Sequence, residues 1–262
     1  MTSPLFYRTV APLDRERHRK LKLDSRAGGY AFAAGTHVIP ALAAEITPAA
    51  PHLPVVFLMS ATLPTPVFLV GLRPEHNDFV NDRGEWTAGY LPAFMRRYPF
   101  IIGEREGLEP ALCIDTAFDA FSPDHGEALF DQQGAESVFL LEKLRFSRDY
   151  YQAAKTTETF AATLRELELL RPITIEKKDG ETTSTVVHGL FCVDENKLAT
   201  LSDETFLMLR HDGWLGPIHA HLISLAAVSK LGVAPTRTIG TPAKPTHRGS
   251  AKAARPAMAK QV

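Results

Sequence analysis

Few residues in this chain have the type and spacing that chemistry requires. His76-Asn-Asp78 is the sharpest: on an extended segment residues two apart share a face, so an imidazole and a carboxylate would supply two corners of a three-ligand iron site. A third ligand, from His188, His211 or His221, would complete it. With ten His and 30 acidic residues, about one such pair arises by chance, and His125/Glu127 is a second, so the spacing is not enriched. His219-Ala-His221 would suit a metal on a strand. The apolar spacing around it is helical, however, and helical residues two apart point in nearly opposite directions. The acid pairs Asp115/Asp119 and Asp194/Glu195 have ordinary loop and helix-cap readings. Phosphate-cradling glycine loops, the nucleophile elbow, H-E-x-x-H and C-x-x-C are all absent from the sequence. Cys113 and Cys192 stand in apolar contexts and read as reduced core residues. Catalysis is therefore left open, with no catalytic residue assigned and no cofactor expected. A metal-dependent accessory enzyme of the non-heme iron type, built on His76, Asp78 and His221, is the alternative.

The densest stretch is Glu85-Trp-Thr-Ala-Gly-Tyr-Leu-Pro-Ala-Phe-Met-Arg-Arg-Tyr-Pro-Phe100. Aromatics interleaved with arginine are the composition of a binding hot spot, so Trp86, Tyr90, Arg96, Arg97 and Tyr98 are the candidate contacts for a protein partner. Asp115 or Asp131 would serve as carboxylate for the arginines.

The elements that must position these residues are short. Tyr30-Ala-Phe-Ala33, His37-Val-Ile39, Val55–Met59 and Val67–Val70 read as strands, the last two bounded by prolines and Gly71. Asn81-Asp-Arg-Gly84 has hairpin-tip chemistry. A short helix follows Pro92, and Tyr98–Ile102 and Ala111–Ile114 return to strand. Phe160, Leu164, Leu167 and Leu170 form the stripe of a helix over 159–170 stopped by Pro172. Ile173–Glu176 and Thr185–Phe191 flank a turn at Lys178–Gly180; Ser202 and Pro217 each open a helix. No internal repeat shows at a fixed period. The fold class is α+β: a mixed, largely antiparallel sheet with flanking helices and a disordered C-terminal tail.

The 262 residues, 45% hydrophobic and 23% charged, suffice for one large domain with an appendage. The expected boundaries are 1–232 for the globular domain and 233–262 for a disordered, basic, Pro/Ala-rich tail. Six of the 29 basic residues lie beyond Gly232 and no acid does, so residues 1–232 hold 23 basic against 30 acidic residues, a charge of −7. So acidic a body argues against a phosphate-backbone groove, and no specific nucleic acid is expected. The longest apolar run, Val55–Met59, is far short of a membrane span, and the N-terminus lacks the order of a secretory signal, which points to the cytoplasm. Surface association would need a non-classical route.

Four segments also resemble the SapC family of bacterial proteins associated with surface layers, distinct from the permease of the same name. Tyr7-Arg-Thr-Val-Ala-Pro-Leu-Asp-Arg-Glu-Arg-His18 is similar to its opening, and Pro54–Phe57, Val70–Leu72, Asn77 and Phe79-Val80 to its sheet region. Gly89–Phe100, with Cys113-Ile-Asp115 and Leu129-Phe-Asp131, resembles its most distinctive core. Gly189–Glu195, Leu198–Leu201 and His219–Leu225 close the match. The resemblance implies a part in the assembly or export of a surface array and brings no catalytic residues; the clustered aromatics and arginines on an acidic body point to protein binding rather than catalysis.

Overall fold

The computed structural model describes residues 4–24, 27, 29–105, 107–179 and 182–232. The expected tail, 233–262, and Gly180 of the expected turn lie outside the described residues. Among the described residues the strands pair antiparallel throughout and helices flank them, which gives the α+β architecture. The main sheet has five strands. β3 (Val38–Pro40), β5 (Thr65–Leu69), β4 (Val55–Leu58), β11 (Thr182–Val193) and β10 (Leu170–Asp179) lie side by side in that order. A second sheet sets β7 (Leu108–Asp115) between β1 (Val10–Pro12) and β6 (Phe100–Arg105). A small third sheet holds β2 (Lys22–Leu23) between β8 (Phe121–Ser122) and β9 (Glu127–Ala128). The main core is built on Phe57, Phe68, Ile39, Ile46 and Phe160, and a lesser one on Phe100, Ile114, Leu129 and Leu140.

Helix α3 (Val138–Glu166) lines both cores, through Leu140 near one end and Phe160 and Leu164 near the other. Ser137 caps it, its Oγ accepting the Leu140 N–H at 3.1 Å. The expected helix over 159–170 is thus only the end of one 29 residues long. Two of its four earlier buried positions, Ser147 and Thr157, carry small polar residues between Leu140, Tyr150 and Phe160, which breaks the apolar stripe in a hydropathy reading. Pro172 does not stop it. Glu168 does, in the left-handed region at φ 49°, and Leu170 and Pro172 already belong to β10. The expected strand at Tyr30–Ala33 is instead a 3-10 turn over Ala31–Ala33.

Three units of helix then hairpin follow one another. These are α1 (Ala43–Ala49) with β4 and β5, α2 (Ala93–Arg97) with β6 and β7, and α3 with β10 and β11. The same tight loop leads into the second and third. At Asn81 and at Asp131 the backbone N–H donates to the carbonyl four residues on, the side-chain oxygen accepts an N–H, and a glycine with positive φ closes the turn (Gly84 at 74°, Gly134 at 83°). The chain ends its described course through α4 (Glu195–Ala199), α5 (Asp203–His211) and α6 (Leu215–Ser224).

Candidate functional site

Two buried carboxylates hold the Trp86–Phe100 stretch in place. Glu45, on α1, lies in the core and receives the Tyr90 hydroxyl at 2.9 Å, the Ala93 N–H at 2.6 Å and the Leu42 N–H at 3.2 Å. Burial raises its pKa above the ordinary carboxylate value despite these donors and Arg96. Charging it therefore opposes folding, a cost absent below the unfolded pKa and growing as pH rises through the folded one. Glu45→Gln, which keeps an acceptor, is expected to melt within a few degrees of the parent. Glu45→Ala, which orphans three donors, should cost roughly 2–4 kcal/mol in urea unfolding. Equal losses in the two variants would refute this account.

Asp115, at the end of β7, is wholly buried. It accepts the backbone N–H groups of Arg8, Thr9 and Ala117 and, at 3.0 Å, the Tyr98 hydroxyl. Burial pushes its pKa up, but these four donors outweigh it and hold the carboxyl below its ordinary value. Tyr98 is correspondingly raised, by burial first and the Asp115 charge second.

The adjacent arginines part company. Arg97 points inward, its guanidinium carbon 4.1 Å from the Tyr150 ring centre, 4.4 Å from Phe94 and 5.8 Å from Tyr7. No carboxylate ion-pairs with it among the described residues. Ring faces stand in for an anion. Arg96 faces solvent, 43% exposed, 5.1 Å above Phe146 and 3.8 Å from Glu45. The expected carboxylates are not the partners: Asp115 takes Tyr98, and Asp131 serves its own turn. Trp86 is half-buried, its Nε1 donating to the Tyr90 carbonyl at 2.8 Å, and Tyr98 is buried.

Around Tyr98 the rings make a wall. Phe32 lies 4.4 Å and Phe118 4.7 Å from it, with Phe6 5.1 Å from Phe32. Phe6 holds φ at 77°, a strained setting for a bulky side chain, and that backbone aims its ring at the wall. Two open clefts flank the wall, of about 680 and 690 Å³, in the range of ligand sites. The first adds Tyr30, Met95, Phe146, Arg96 and Lys143; the second is bordered by the Arg8–Asp119 ion pair at 3.3 Å. Phe32, Phe118, Phe146, Lys143 and Glu45 are not found by the sequence reading. Glu45 alone left a trace there, as the single acid in an apolar run from Ala41 to Ile46.

His76 and Asp78 do meet, Nε2 to Oδ1 at 3.1 Å. The other Asp78 oxygen accepts the Gly232 N–H at 2.9 Å, so this carboxylate ties down the last described residue. His221 is not brought to them. It is fully buried on α6, its Nε2 accepting the Val193 N–H at 3.1 Å and its ring 5.0 Å from Phe57. Among the described residues no three His, Cys, Asp or Glu side chains are gathered to hold a metal. Cys113 and Cys192 are buried and unbridged. No described helix is long and apolar enough to cross a membrane.

No curated protein sequence and no solved structure matches the chain. The family model called SapC matches residues 13–231, a span that takes in Trp86–Tyr98, both carboxylates and most of the aromatic wall. The chain belongs to the SapC family.

Proposed function

We propose that this SapC-family protein serves surface-layer assembly or export by binding another protein, with contact at the first cleft and its Arg96 rim. The observation behind the reading is the different disposition of neighbouring residues. Arg97 and Tyr98 are locked inside by rings and by Asp115, whereas Arg96 projects over an aromatic cleft with much of its side chain in water. Trp86 and Tyr90, both half-buried, back this rim, Tyr90 by way of Glu45. Large aromatic surfaces beside an arginine bury much area on association and lose little side-chain entropy.

Co-purification from the native host, followed by mass spectrometry, tests this. Arg96→Ala is expected to lose the partner while melting within a degree or two of the parent. Arg97→Ala should instead lower the melting point, because it empties a buried ring cage. Undiminished partner recovery with Arg96→Ala would remove the cleft rim from the interface.

A further inference from the structure

The cleft also constrains what it takes. Resting on the protein-binding reading above, we infer that the first cleft receives an extended partner segment in which a large aromatic residue stands next to an acidic one. The wall rings Phe32, Tyr98 and Phe118 offer faces and no spare hydroxyl, since the Tyr98 OH is committed to Asp115 at 3.0 Å; Tyr30, elsewhere in the lining, brings the polar tip that an indole N–H can meet. Phe32, Phe118 and Phe146 add only carbon, so the group seated there is apolar and flat enough to stack.

Charge decides the neighbour. Arg96 and Lys143 border this cleft against one carboxylate, Glu142, which makes the mouth net positive on a body of charge −7. Glu45 ion-pairs with Arg96 at 3.8 Å, but from inside the core, where its oxygens also take Tyr90, Ala93 and Leu42, and Arg96 still lines the cleft with 43% of its side chain exposed. Lys143 rests over the Phe139 ring at 5.1 Å and ion-pairs with no carboxylate among the described residues. The second cleft differs: its Arg8 and Asp119 neutralise each other, so it adds apolar room and no net charge. The two clefts share Phe32, Tyr98 and Phe118, so a chain can run across the wall from one to the other. That geometry suits a peptide better than a compact small molecule. The strained Phe6 belongs to the same wall, and strain of this kind concentrates where a surface is shaped for a ligand.

The test titrates the full-length protein with short probes and follows amide shifts by NMR at low salt. The probes are acetyl-Gly-Asp-Trp-Gly-amide, its Lys-for-Asp and Ala-for-Trp analogues, and free indole-3-acetate. The Asp-Trp peptide is expected to shift amides around Tyr98 and Met95. The Lys analogue should bind about fivefold more weakly and the Ala analogue about tenfold more weakly. Arg96→Gln should remove the preference for Asp over Lys while leaving the residual Trp binding. Equal binding of the Asp and Lys peptides overturns the acidic assignment. No shift with any peptide overturns the site, and indole-3-acetate binding as tightly as the Asp-Trp peptide overturns the extended segment. Partner loss with Arg96→Ala but no peptide binding leaves the protein-binding reading standing and sinks this one. Peptide binding with undiminished partner recovery overturns the protein-binding reading and, with it, the claim that the segment belongs to that partner.

Discussion

Lowering the pH from 7 to 4 is expected to cost the folded protein about 3 kcal/mol through His221 alone. The imidazole is fully buried, its Nε2 accepts the Val193 N–H, and Phe57 covers its ring. Burial pushes its pKa from the ordinary 6.5 down to about 4, only partly opposed by the Val55 backbone. The unfolded chain thus takes up a proton near pH 6.5, whereas the folded chain refuses it until about pH 4. Stability is full above 6.5 and falls as the pH drops across that window. His18, depressed by burial in the same way, adds to the slope. Urea unfolding at half-unit steps should show the decline, and His221→Gln, which keeps an acceptor for Val193, should flatten most of it. A parent protein equally stable at pH 7 and 4.5 would contradict the assignment. The same property bears on the metal alternative: this histidine's lone pair is committed to the main sheet and to holding α6 against it.

What could be read from the residues was the part carried by periodicity and turn chemistry. β4, β5, the Asn81–Gly84 loop, the helix after Pro92 and the Ser202 cap are all visible that way, because each is specified within a few residues. The family was legible too, through Arg96-Arg-Tyr-Pro-Phe100 and its flanking segments. The stretch of α3 before residue 159 was not, since Ser147 and Thr157 interrupt its buried face and Val138 and Leu141 lie on its exposed one. The three helix–hairpin units were hidden for another reason. Their likeness lies in backbone geometry, and only an Asn or Asp followed by glycine marks the loops between them. In the site, composition pointed to the right stretch and said nothing of direction. That Arg96 faces out and Arg97 in depends on Glu45, Phe94 and Tyr150, and the last of these comes from a helix that begins 40 residues downstream of Tyr98. Phe6, Phe32 and Phe118 converge on Tyr98 from three separate segments, and no local pattern encodes that meeting.

The largest single-residue effect is expected at Asp115. Asp115→Ala should lower stability by roughly 3–5 kcal/mol, because three backbone N–H groups and the Tyr98 hydroxyl lose their acceptor together. Two of those N–H groups, from Arg8 and Thr9, fasten the segment leading into β1, so its detachment frees Phe6 as well and removes a ring from the wall. The order among variants separates this from simple loss of packing. Asp115→Asn keeps one oxygen for Thr9 and Ala117 but turns an amide donor toward the Arg8 N–H, and should fall between Ala and the parent. Tyr98→Phe gives up only one of the four bonds and should cost about 1 kcal/mol in hydrogen bonding. The acid dependence has its own window. The folded carboxyl titrates below its ordinary value, so the stabilisation is present above the unfolded pKa of 3.8 and is lost as the pH falls through the folded one, below the range governed by His221. Should Asp115→Asn unfold as readily as Asp115→Ala, the charge rather than the set of acceptors would be the anchor. Should neither lose stability, the wall would be held by ring packing alone, and the clefts would survive without this carboxylate.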